Sequence, residues 1–187
     1  MNTSRFRIPA PSWPQTFLLR VGKKFLLEVP SGSDPRYLVW GCQVFFFTLG
    51  ILYLNFLKSF STLAVCLGTG ALLDFALIYV FRRRLVLPQS GLVCAAGMSL
   101  LLEASSPWIY MAAIFFALSS KYIFLIGERH IFNPTAFGLV CALSFFPYHA
   151  VTNPLQWTGS ATVWAVVIGL GLLAAYRAKV LDMAIFF

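Results

Sequence analysis

Residues 119–137 read SSKYIFLIGERHIFNPTAF, and the rest of the chain is parsed outward from them. An apolar run ends here, with Lys121 near its inner edge. Gly127 stops that helix, the polar trio Glu128, Arg129 and His130 turns the chain, and Asn133-Pro134 opens a second apolar run. An asparagine side chain accepts hydrogen bonds from the free N–H groups of a helix start. Proline suits the first turn, where its missing N–H costs nothing. The stretch is therefore a corner between two apolar helices, and the same alternation of apolar run and short polar break continues on both sides.

Six such runs lie at 37–58, 62–81, 87–104, 108–126, 131–150 and 161–176. A crossing of about 30 Å of hydrocarbon takes about twenty mainly apolar residues. The third and last runs are the shortest, and Pro88 and Pro134 stand near helix starts, where proline is tolerated. Hydrophobic residues make up 59% of the chain and charged residues 11%, with a mean hydropathy of +0.81. Soluble domains hold about 45–50% apolar and about 25% charged residues, so a water-soluble fold could not hide this much apolar surface. The expected fold is all-α: a polytopic transmembrane helix bundle of about six spans over 37–187, embedded in a lipid bilayer. A seventh apolar segment at 180–187 is too short to cross, so the chain reads as interrupted there: a truncated product, an incomplete gene or a segment completed by a partner.

The net charge of +8 does not point to nucleic acid, because the 14 Lys and Arg residues stand at the ends of apolar runs rather than on one soluble face. With the N-terminus in the cytoplasm, the inner connections carry the six basic residues before Tyr37, then Arg82, Arg83 and Arg84, then Arg129, then Arg177 and Lys179. The outer connections carry Lys58. Basic residues beside span ends bias a loop toward the cytoplasm, which sets the expected orientation and a basic cytoplasmic segment over 1–36. That segment has no long apolar core before a small-residue cleavage site, so it does not read as a cleavable signal. Its stretch 13–27 reads either as a basic amphipathic helix lying on the membrane or as a tether.

An ionisable residue inside a span costs about 2.5–3.5 kcal/mol on insertion scales and needs a reason. Asp74 stands in the middle of the second run, Glu103 closes the third, and Lys121 lies toward the inner end of the fourth. Asp74 and Glu103 are candidates for an ion pathway. Asp74 reads equally as an interhelical hydrogen-bonding group or a partner for Lys121, and Glu103 and Lys121 are near enough to span ends to snorkel to water. The helix start at Asn133, with Arg129 and His130 beside it, is a candidate site for an anionic group, because free N–H groups there favour negative charge. Cys42, Cys66, Cys94 and Cys141 fall inside apolar runs with no metal-site or redox spacing, and read as packing residues. No phosphate-binding glycine loop, HExxH or GxSxG motif is present, and no residue is a candidate for catalysis.

The run KYIFLIGERHIFNPTAFGLV (121–140), preceded by SGLVCAAGMSLLLEASSPW (90–108), resembles the RnfD/NqrB family. These are the membrane subunits D of the Rnf electron-transport complex and B of the sodium-pumping NADH:quinone oxidoreductase. The likeness covers roughly 82–149 and rests on an ordered set: a serine-opened helix, the Ser105-Ser106-Pro107-Trp108 hairpin, the inner Lys121, and the Phe132-Asn133-Pro134 turn followed by Gly138. It implies a membrane subunit of a flavin-dependent, ion-translocating electron-transport complex, in a bacterial inner membrane and among other membrane subunits. Family members hold about ten spans in two related halves, of which this chain matches the first. The likeness implies FMN or riboflavin as cofactor, with Lys121, Arg129, His130, Asn133 and Thr162 as the residues to hold it. Some members carry FMN on a threonine, and in NPLQWTGSAT (153–162) Thr162 follows Ala161 as that acceptor does. Gln156 and Gly159 depart from the acceptor motif, so a non-covalent flavin is expected.

Two other functions compete. A small-solute or ion transporter would use Asp74, Asn133 and Gly68, Gly70, Gly91 and Gly97 along a path. A structural or assembly subunit would pack against a larger complex through the small-residue faces at 68–71 and 94–97.

Overall fold

The computed structural model describes residues 16–21, 25–31, 34–82, 85–126, 129–152 and 161–177. These are mostly helical: α1 (Pro35–Tyr53), α2 (Phe60–Arg82), α3 (Gln89–Leu101), α4 (Pro107–Ile123), α5 (Pro134–Phe145) and α6 (Ala161–Arg177). Each expected apolar run overlaps one of them. Helix starts follow local chemistry. The Asp34 side chain accepts the Arg36 N–H at 2.9 Å ahead of α1, Asn133 does the same for α5, and prolines stand in the first turns of α1, α4 and α5. Two segments, α1 and residues 60–81 of α2, are long and apolar enough to cross a membrane.

The third and fifth runs depart from expectation. Helices α3 and α5 hold 13 and 12 residues, which at 1.5 Å per residue is about 18–20 Å and short of a full crossing. The third run ends in a short strand, and the fifth reaches one through a turn at 147–149. Strands β4 (Leu102–Ala104) and β7 (Ala150–Thr152) pair antiparallel, Leu102 opposite Thr152 and Ala104 opposite Ala150. Helix α5 stops before Pro147, because the residue ahead of a proline is pushed out of helical geometry. At the end of α3 the backbone finds partners in the β4–β7 ladder instead of another helical turn.

The surface helix considered for 13–27 is not what forms. Its described part is a hairpin of β1 (Thr16–Val21) and β2 (Phe25–Pro30), paired antiparallel from Thr16 opposite Pro30 to Val21 opposite Phe25. Strand β3 (Leu85–Val86), just after α2, joins β2 in parallel. Phe, Thr and Val favour extended chain, and the third strand comes from a distant part of the sequence. The corner at 119–137 is also more ordered than a plain turn. Strands β5 (Leu125–Ile126) and β6 (Arg129–His130) pair antiparallel between α4 and α5.

The core sits around α4. Ala113, Ile114, Ala117 and Leu118 are fully buried against Cys66 of α2, Met98 of α3, Leu102 and Ala142 of α5. Small residues let these backbones close up. A Cβ on Gly70 would lie 2.6 Å from the Gly91 carbonyl oxygen, and one on Gly138 would collide with the Ala113 carbonyl oxygen. The small face at 94–97 is therefore spent inside this chain, against α1, α2 and α5, while Gly68 faces open space. Leu52, Leu72, Val140 and Phe145 are exposed, whereas Asp74, Gln89, Ser99, Ser120 and Lys121 are buried. Helix α6 packs on α1 and buries none of its residues. The expected partial segment at 180–187 lies outside the described residues.

Candidate functional site

Asp74 and Lys121 meet inside the bundle. Lys121 Nζ of α4 lies 3.1 Å from Asp74 Oδ1 of α2, and the two residues are 8% and 1% exposed. Lys121 does not snorkel: its ammonium turns inward to the carboxylate, since a buried charge without a partner costs more than the pair. Of the two readings open for Asp74 as a structural group, both hold at once. Its other oxygen, Oδ2, accepts the N–H of Gly91 at 2.8 Å.

Gly91 stands in the first turn of α3, so Asp74 does from a neighbouring helix what an N-cap side chain does locally. No side chain of the chain just ahead of α3 caps it. A carboxylate there satisfies a free N–H and complements the positive end of the helix dipole. The contact is possible because Gly70 and Gly91 bring α2 and α3 backbone to backbone. Asp74 lies eight residues inside the end of α2 at Arg82, about 12 Å at 1.5 Å per residue. The start of α3 is thus sunk deep in the bundle rather than set at its edge.

Helix α5 begins nearby and runs the same way as α3. Thr135 in its first turn lies against Gly97, and Gly138 against Met98, so later residues meet later residues. The far ends of both short helices are tied by the β4–β7 ladder and by the Ser105 N–H donating to the His149 carbonyl at 3.0 Å. Two parallel short helices therefore start inside the bundle, and one of them carries a buried ion pair at its start.

The opposite end of α3 is held by Lys58. Its Nζ donates to the carbonyls of Ser99 and Leu100 at 2.9 and 2.7 Å, completing the last turn from the connection between α1 and α2. Burial pulls this ammonium down from its ordinary 10.5 to about 8, with the Glu103 carboxylate opposing the shift. The charge expected on an outer loop is thus a buried cap, 8% exposed.

The remaining candidates do not gather. Glu103 is half-buried in β4, opposite Val151 and at the Lys58 end of α3, away from Asp74. The two expected ion-pathway residues therefore stand at opposite ends of one helix. Asn133 Oδ1 is occupied by the N–H groups of Thr135 and Ala136 at 3.0 and 3.4 Å. Thr162 is exposed in the first turn of α6. The backbone of Arg129 and His130 forms β6, while their side chains and Glu128 lie outside the described residues. Of the residues expected to hold a flavin, Lys121 is paired with Asp74, Asn133 caps α5 and Thr162 is exposed on α6. Gly70, Gly91 and Gly97 do not line a path either, since each is closed by backbone or side chain.

Sequence reasoning passed over Lys58 as a cap and Gln43, which lies against Gly97 of α3. The signal available was a glutamine inside an apolar run. No family model, curated protein or solved structure matches the chain.

Proposed function

We propose that this chain is a multi-pass subunit of a bacterial inner membrane, with its N-terminus in the cytoplasm, that moves an ion or proton within a flavin-dependent electron-transport complex. The observation that carries the reading is the Asp74–Lys121 pair, 3.1 Å apart and buried at the start of a short helix. A charged pair inside a membrane bundle is costly and marks ion or proton pathways. Transport proteins place such sites where interrupted helices begin near the membrane midplane. Apolar exposure with polar burial favours lipid as the solvent, and the resemblance over 82–149 supplies the redox setting. In this reading α3 and α5 are half-length membrane elements among six apolar helices.

The test is gentle purification from native membranes followed by absorbance, fluorescence and identification of co-purifying proteins. Flavin that stays bound through purification, with redox subunits alongside, together with loss of ion movement in Asp74→Asn, is the expected result. A colourless chain that purifies alone and moves solute without a redox partner replaces this reading with the transporter, which the two short parallel helices favour. A structural subunit packed through the face at 94–97 has less support, because that face is already covered.

A further inference from the structure

Asp74 and Lys121 each lie 14 residues beyond the first residue of their helix, Phe60 of α2 and Pro107 of α4, about 21 Å at 1.5 Å per residue. Between those two starts is a cavity of about 250 Å³. Contact at the ion pair and a shared cavity at the starts mean that α2 and α4 run parallel and begin level. The cavity is lined by the hydroxyl-bearing residues Ser59, Ser61, Thr62, Ser105, Ser106 and Tyr110, and by no charged side chain among the described residues. Ser59, Ser61 and Ser105 are exposed, so it is reached from outside the bundle.

The chemistry of this wall selects what it holds. Tyr110 is 4% exposed. Its oxygen accepts the Ala104 N–H at 3.2 Å, and among the described residues its own O–H has no acceptor. A buried hydroxyl proton calls for one. Each helix start adds free N–H groups and about half a positive charge. The side chain of Ser106, the N-cap of α4, bonds none of those groups, and neither first turn holds an acidic residue. A cation would meet two positive helix ends and no carboxylate. A sugar would answer the hydroxyls and leave the field of the two helices unanswered. An oxygen-bearing anion of one charge answers both. Donors reach it from α2, from α4 and from Tyr110, which suits a tetrahedral group better than a planar carboxylate. The volume is below the about 300–1,000 Å³ of pockets for drug-sized ligands, so little beyond the anionic group itself fits.

We propose that this cavity binds a singly charged phosphate group, supplied either by inorganic phosphate or by the phosphodiester of a lipid head group at that end of the bundle. The site stands apart from the Asp74–Lys121 pair and does not rest on the ion movement proposed above.

Thermal midpoints of the full chain, purified in detergent and stripped of lipid, test it. The probes are sodium phosphate and dihexanoyl phosphatidylglycerol below its micelle concentration, each set against sodium chloride at equal ionic strength. A rise of about 3–6 °C over chloride is expected at ten times the half-saturating concentration. A rise with phosphate assigns the free anion, and a rise with the lipid alone assigns the head group. In Ser106→Asp the new carboxylate is a good N-cap and repels the anion, so half-saturation is expected to move up about tenfold or more. Ser61→Asp does the same from the first turn of α2 and replaces it if it does not fold. Midpoints that neither probe raises over chloride overturn the site. So does a rise that the aspartate variants keep at the same half-saturation, because the anion then binds elsewhere.

Discussion

Asp74 and Lys58 stand at opposite ends of the same 13-residue helix, the carboxylate on the Gly91 N–H and the ammonium on the carbonyls of Ser99 and Leu100. Neither residue belongs to α3. Its positive end meets an anion and its negative end a cation, so a helix too short to hold itself is fixed from α2 and from the α1–α2 connection.

Removing one member of the Asp74–Lys121 pair strands the other inside the bundle. Asp74→Leu or Lys121→Met alone is expected to cost about 3–5 kcal/mol, the range for a broken buried pair. The double variant Asp74→Leu with Lys121→Met is expected to regain much of that stability while ion movement stays lost. Denaturation midpoints in detergent, set beside transport assays, check this. A double variant as unstable as the sum of the singles would mean that the pair is not coupled.

Lys58→Met removes the cap from the end of α3 and is expected to lower stability by about 1.5–3 kcal/mol, as for hydrogen bonds made by a charged group. Lys58→Arg is expected to recover part of it. Thermal midpoints of the purified variants decide, and an unchanged midpoint in Lys58→Met would remove Lys58 from the account of how α3 ends.

The same residue gives a pH dependence. Its folded value of about 8 lies below its ordinary 10.5. Below pH 8 both folded and unfolded chains hold the proton, and the cost of burying the charge is fully present. Between pH 8 and 10.5 the folded chain binds fewer protons than the unfolded one, so stability contributed by this group rises with pH and levels off above. The wild-type midpoint is expected to rise between about pH 8 and 10.5 relative to that of Lys58→Met. A parallel pair of profiles would contradict the assignment.

The crossing of α2 and α3 depends on two glycines. Gly91→Ala would drive a methyl group into the Gly70 carbonyl oxygen and to 2.5 Å from the Asp74 Cβ, whereas Gly68→Ala meets nothing within 4 Å. The first is expected to cost about 1–3 kcal/mol from overpacking, with loss of the Asp74 cap. The second is expected to be neutral or slightly stabilising, since alanine is the better helix former. Thermal midpoints of the two variants separate a packing glycine from an incidental one.

That the described residues are mostly helical, where their six helices lie, and that Asn133-Pro134 opens one of them were all legible in the sequence. Those outcomes follow from apolar runs and local capping, which act over a few residues and need no partner. The pairing of Asp74 with Lys121 was legible as one of several uses for a buried carboxylate. The tertiary structure alone decided which use it was, because the distance between residues 47 apart in sequence depends on how α2 and α4 pack. It also decided that α3 and α5 stop halfway, since the β4–β7 ladder that takes over their backbone hydrogen bonds joins segments about 50 residues apart. Residues 16–30 became strands for the same reason, β3 arriving from beyond α2. Hydropathy registers how much apolar chain there is. Which backbone groups find partners is fixed only when distant segments meet.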